Sequence, residues 1–157
     1  MDQTRRFLKI ALTAIILFGC EARPELEAVQ LGNSTYVVPS SHIITTISAD
    51  PNRFIRIQPP NAAFSLVHDS RTMGKKDASG APVLFSLNEG STPGIEHVRL
   101  GARQITCRKA SSPNQGCGLY LRHGGVEWVV LIPESRLGEA ETFAAEAARL
   151  LDRFKQD

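Results

Sequence analysis

Gly118-Leu119-Tyr120-Leu121-Arg122-His123-Gly124-Gly125-Val126-Glu127-Trp128-Val129-Val130-Leu131-Ile132 reads as two apolar-rich runs joined by a glycine pair. The tightest hairpin turns need positive φ, which glycine adopts without a steric penalty. The stretch therefore predicts a β-hairpin turning at Gly124 and Gly125. Such a turn sets the register. His123 faces Val126, Arg122 faces Glu127, Leu121 faces Trp128 and Tyr120 faces Val129. Arg122 and Glu127 then make a cross-strand pair of opposite charge, which supports that register modestly.

Downstream, Pro133 closes the second run and a helical pattern begins. Ala140, Phe143, Ala144, Ala147, Leu150, Leu151 and Phe154 recur at spacings of three and four, which lays them along one stripe. Glu139, Glu141, Glu146, Arg149, Asp152 and Arg153 fall elsewhere. The glutamates come early and the arginines late, as the helix dipole favours. Ser135 or Gly138 is the expected start. Hairpin and helix together predict an α+β fold, an antiparallel sheet of several short strands with a C-terminal amphipathic helix packed on one face.

Upstream, the strand candidates are Thr35–Val38, His42–Ile47, Phe54–Ile57, Ala62–His68, Pro82–Leu87, Val98–Leu100 and Gln104–Cys107. Polar, glycine-containing loops separate them, the longest at Asp69–Ala81. Residues 20–33 begin acidic, with Glu21, Glu25 and Glu27, and read as a tether. A short helix at Pro24–Leu31 is an option there, since proline suits a first helical turn. Residues 34–157 are then a single domain.

The chain has three cysteines. Cys107 and Cys117 lie ten positions apart, without C-x-x-C spacing and without a nearby histidine pair to complete a metal set. In an oxidising compartment they are expected to form a disulfide. Chain entropy puts its contribution at roughly 3 kcal/mol.

The first residues point to that compartment. Arg5, Arg6 and Lys9 precede an uncharged run, Ile10–Phe18, followed by Gly19, Cys20 and Glu21. As a helix that run spans roughly 14 Å, about half of a ~30 Å hydrocarbon core, so it suits a leader better than a permanent span. Leu17-Phe18-Gly19-Cys20 resembles the lipobox of bacterial lipoproteins. The resemblance implies cleavage after residue 19 and acylation of Cys20 by a diacylglyceryl group. It also implies a cell-envelope address on the periplasmic face, with Glu21 favouring the outer over the inner membrane. Thr4-Arg5-Arg6-Phe7-Leu8-Lys9 resembles a twin-arginine signal without its spacer residue, so general secretion is the expected route. Two or more acyl chains anchor stably where one does not.

Removing the leader takes away three basic residues and one acidic, so the whole chain's 18 basic and 16 acidic groups become 15 of each. Nothing in that balance calls for nucleic acid. The region between Glu96 and Glu127 nonetheless lacks acids and carries, besides His97 and His123, Arg99, Arg103, Arg108, Lys109 and Arg122. These five are the candidate binding residues, and an acidic partner protein of the envelope is the partner they would suit. Few aromatic residues accompany them, which argues against base stacking.

No nucleophile elbow, P-loop, H-E-x-x-H or dinucleotide motif appears, and no cofactor or metal is called for. His68-Asp69-Ser70 and Ser40-Ser41-His42 contain catalytic residue types, but neighbours on a strand point to opposite faces. No catalytic residue is assigned. Three classes of function remain. The first is a non-enzymatic, lipid-anchored interaction module such as an immunity or inhibitor lipoprotein. The second is an assembly lipoprotein accessory to an envelope or secretion machine. The third is a small hydrolase.

Overall fold

A computed structural model describes residues 24–47, 53–72, 74–76, 80, 94–109 and 116–156, with the backbone alone at 94, 95, 108 and 109. In chain order these form β1 (Leu26–Leu31), β2 (Ser34–Pro39), β3 (Ile43–Ile47), β4 (Phe54–Ile57) and β5 (Ser65–Asp69). Then follow β6 (Gly94–Leu100), β7 (Arg103–Lys109), β8 (Cys117–His123), β9 (Val126–Ile132), α1 (Ala140–Phe154) and the short β10 (Lys155–Gln156). The leader, Cys20, the Pro82–Leu87 run and the loop at 110–115 lie outside the described residues.

The β8–β9 hairpin has the register its glycine pair dictates, His123 opposite Val126 through Tyr120 opposite Val129 and on to Cys117 opposite Ile132. Gly124 and Gly125 have φ of 57° and 77°. Position 124 also needs glycine for space. A Cβ there would stand 3.1 Å from the Tyr36 hydroxyl and from the Lys155 side chain.

The hairpin is the centre of a seven-stranded antiparallel sheet ordered β3-β4-β5-β9-β8-β7-β6. A second sheet, β1-β2-β10, is smaller. Strand alternation gives the large sheet an inner face of Ile55, Ile57, Leu66, Ile105, Leu119, Trp128, Val130 and Ile132, all fully buried. The helix closes that face with Phe143, Ala144, Ala147, Leu150, Leu151 and Phe154. Leu31, Tyr36 and Val38 of the small sheet complete the same core. Trp128 is at its middle, edge-on to Tyr36 at 5.3 Å and tilted against His68 at 5.8 Å. The fold is α+β, with the C-terminal helix packed on one face of the sheet.

Residues 26–31 correct the sequence reading. They are neither tether nor helix but strand β1, paired along its whole length with β2. The reason is local. Val29 and Leu31 alternate with Ala28 and Gln30, and Gly32-Asn33 supplies a two-residue turn between Leu31 and Ser34. A helix would have left the free edge of Ser34–Pro39 unpaired on that side. The brief strands expected at Val98–Leu100 and Gln104–Cys107 extend into one hairpin, β6–β7, that turns at Gly101-Ala102. Gly101 has φ 59°, as a II′-type turn requires at its first position. The helix begins later than Ser135 or Gly138, because a 3₁₀ turn occupies Glu134–Glu139. Its buried positions coincide with the apolar stripe.

Candidate functional site

The paired residues Ile105 and Leu119 both face the core. Alternation therefore places His97, Arg99, Gln104, Tyr120, Arg122 and Glu127 on the opposite face of the sheet, away from α1. Arg99 lies opposite Gln104 and His97 opposite Thr106, whose Oγ1 is 3.1 Å from His97 Nδ1. Glu127 faces Arg122 in register, but its carboxylate is used elsewhere. Tyr120 Oη donates to Glu127 Oε1 at 2.7 Å, a diagonal cross-strand contact, and the Gly74 N–H donates to Oε2 at 2.8 Å. Burial and the adjacent Glu127 carboxylate push the Tyr120 phenol up to about 12, against a weaker opposing pull from Arg122. At neutral pH the phenol thus stays a hydrogen-bond donor.

The five nominated cations do not form one patch. Arg99 and Arg122 share the helix-free face, both exposed and without an ion pair among the described residues. Arg103 lies on the helix side, its Nε 2.7 Å from Glu141 Oε2. Arg108 and Lys109 fall at the end of β7, where Arg108 is in register with Ile95 and Lys109 with Gly94. Both follow Cys107, inside the segment that the disulfide closes. Cys107 and Cys117 are directly opposite one another on β7 and β8, with an S–S distance of 2.07 Å. It closes the β7–β8 connection at its base, on the buried inner face.

The residue trios with catalytic composition are taken apart by the strands that carry them. His68 points inward, its ring tilted against that of Trp128, with Nδ1 donating to the Glu127 carbonyl at 2.8 Å. Asp69 points to the other face. Burial works against its charge, but two hydrogen bonds and the charge of Arg71 hold its carboxyl below the usual range. Ser70 Oγ accepts from the Arg53 N–H at 2.8 Å. Ser40, Ser41 and His42 make a 3₁₀ turn, and the His42 ring lies 6.0 Å from Phe154.

The fold brings together a different set, which the sequence did not suggest. His123 Nε2 stands 2.8 Å from Asp152 Oδ1, and Tyr36 Oη is 3.3 Å from His123 Nδ1 while donating to the His123 carbonyl at 3.1 Å. Tyr36 is fully buried, so its hydroxyl cannot meet a substrate. The trio ties β2, the hairpin and the helix end together. Burial, partly offset by the Trp128 indole, raises the Tyr36 pKa. These three lie 87 and 29 residues apart in sequence, beyond any local motif.

Among the described residues no group of three His, Cys, Asp or Glu side chains could share a metal ion. No described helix is long and apolar enough to cross a membrane. An open groove of about 660 Å³ runs between α1 and the β4–β5 connection. Phe64 and Leu150 floor it, while Arg149 and Arg153 are balanced at its rim by Glu146 and Asp152. That balance gives it no preference for a charged ligand. No protein-family model matches this chain, and no curated protein or solved structure matches it either.

Proposed function

We propose that this chain is a lipid-anchored protein of the bacterial cell envelope whose folded domain acts by binding another protein. The observation that carries the binding role is the exposed Arg99 and Arg122 pair on the helix-free face, beside Tyr120 and near the disulfide-closed β7–β8 connection. Guanidiniums with no ion pair among the described residues suit an acidic partner surface, because each can make bidentate bonds to a carboxylate without first breaking such a pair. The candidate catalytic trios are occupied in structural contacts, which favours binding over hydrolysis.

The anchor in this reading is Cys20, acylated after removal of residues 1–19, on the periplasmic side and more readily in the outer than the inner membrane. The Glu25 carbonyl accepts from the Ser40 N–H at 2.8 Å, so Glu25 is tied to the folded domain. Four residues separate Cys20 from Glu25 in the sequence, a stretch whose greatest possible length is about 14 Å at ~3.5 Å per residue. A domain held so close would meet partners at the membrane surface rather than reach across the periplasm.

Two experiments test the reading. Fractionation of cells expressing Cys20→Ser is expected to move the protein out of the membrane pellet; a mutant that stays there removes the lipid anchor from the proposal. Capture from solubilised envelopes with the tagged full chain, beside an Arg99→Glu/Arg122→Glu variant, is expected to retain one partner for the native chain alone. A toxin or wall hydrolase as that partner favours an inhibitor or immunity role. A secretion or envelope subunit favours an assembly role. Equal retention by both baits rejects this face as the binding site.

A further inference from the structure

The two outer strands of the seven-stranded sheet are defended very differently. An edge strand offers a row of unpaired N–H and C=O groups to any extended chain, and proteins usually guard it with charge or proline. The β6 edge carries Glu96, His97 and Arg99 within seven residues. The opposite edge, β3, is Ile43-Ile44-Thr45-Thr46-Ile47, and Ser40 to Ala49 contains no Asp, Glu, Lys or Arg. Among the described residues β3 pairs with β4 alone. Ile44 and Ile47 are 53 % and 46 % exposed, two of the three large apolar side chains that stand out from the described surface. β-Branched residues with no charge are what a strand buried between neighbours would use.

We propose that β3 is a self-association edge, and that its partner is the β3 strand of a second copy of this chain, paired antiparallel across a two-fold axis. The edge suits its own copy. A two-fold pairing brings each residue against a residue of the same short run, so across Ile43–Ile47 the new ladder contains only isoleucine and threonine and no like charges meet. The irregularity between Ile43 and Thr45 leaves Thr45–Ile47 in regular register with β4, and places Thr46 at the centre of the regular stretch. A notch of about 190 Å³ opens beside the end of β3, where Val29, Leu31, Ile47 and Phe54 supply apolar walls and Gln30 and Arg53 polar ones. It can receive an aliphatic side chain such as Ile44 of the opposing strand. Pairing therefore joins the two large sheets through a ladder whose protruding side chain has a matching recess on the same chain. The free edge of the small sheet is less suited. β1 carries Glu27, and the Gln30 carbonyl already accepts from the Arg53 guanidinium.

The test uses the full chain carrying Thr45→Cys or Thr46→Cys, oxidised in isolated envelopes and again after solubilisation. A residue facing its own copy across an antiparallel ladder lies within the ~4.4–6.8 Å Cα separation a disulfide spans. At least one variant is expected to give a cross-linked homodimer absent from the unsubstituted chain. Adding Ile44→Lys and Ile47→Lys should cut that yield roughly tenfold or more, because like charges are then forced together. Both isoleucines are exposed, so melting of the lysine variant reports whether the fold survives. The proposal is overturned if both cysteine variants stay monomeric or link no better than Arg99→Cys on the β6 edge. It is equally overturned if they link to a different protein, or if the lysine variant keeps its melting temperature and dimerises undiminished.

Discussion

The two faces of the large sheet come from alternate residues of the same strands, yet they are built on different principles. Toward the helix, Leu119, Trp128, Val130 and Ile132 are all apolar or aromatic and end fully buried. Away from it, Tyr120, Arg122, Glu127 and Val129 mix charge, phenol and aliphatic carbon, and Arg122 is left in solvent. The first face is closed by volume, the second held by a few directed hydrogen bonds. Stability should therefore depend steeply on the inner face and weakly on the outer, while recognition depends on the outer alone.

The largest effect is expected at Trp128. Its ring is fully enclosed between Tyr36 and His68, so Trp128→Ala leaves a cavity where two sheets and the helix meet. A loss of about 3–5 kcal/mol should appear in urea denaturation. Next comes the disulfide, also on the inner face. Cys107→Ser with Cys117→Ser should cost about 2–4 kcal/mol, read from the same denaturation curves. A double variant as stable as the native chain would mean that the β7–β8 ladder holds without its cross-link.

The inner face was also the legible one. The apolar run Val126–Ile132 and the 3.6 period in Ala140–Phe154 are strong signals, and most of the run and the whole stripe are buried. The Gly124-Gly125 turn fixed a register that no other contact had to supply. The strand at Leu26–Leu31 is obscured in the sequence by three early glutamates and a proline, although Gly32-Asn33 marks a hairpin turn as plainly as the glycine pair does. The candidate site was harder for a different reason. A run of cations in sequence says nothing about which face each occupies. Arg99 and Arg103 are four residues apart, but the Gly101-Ala102 turn and strand alternation send them to opposite sides. Tyr36, His123 and Asp152 meet only because three elements converge.

On the outer face, Tyr120→Phe should cost about 1 kcal/mol, since Glu127 loses one of two hydrogen bonds but keeps that of Gly74. The phenol also gives the effect a pH signature. Its proton is held more tightly in the folded state, so the contribution is complete below the ordinary tyrosine value of 10.0 and is lost as pH rises through about 12. Tyr36 is shifted in the same direction by burial, and these are the chain's two tyrosines. Ultraviolet absorbance should therefore show no half-ionised tyrosine at pH 10.0 in the folded protein. Ordinary titration of either phenol would show that the Glu127 contact or the Tyr36 enclosure does not persist in solution.

The smallest effects separate the two kinds of arginine. Arg103 and Glu141 form an ion pair whose side chains are 36 % and 64 % exposed, so Arg103→Ala should cost no more than about 1 kcal/mol, and less in high salt. Arg122 has no such partner among the described residues, and Arg122→Ala should leave stability within about 0.5 kcal/mol of native at any salt concentration. A salt-dependent loss at Arg122 as large as that at Arg103 would mean that its charge is spent inside the fold, and would leave the helix-free face without a free cation at that position to offer a partner.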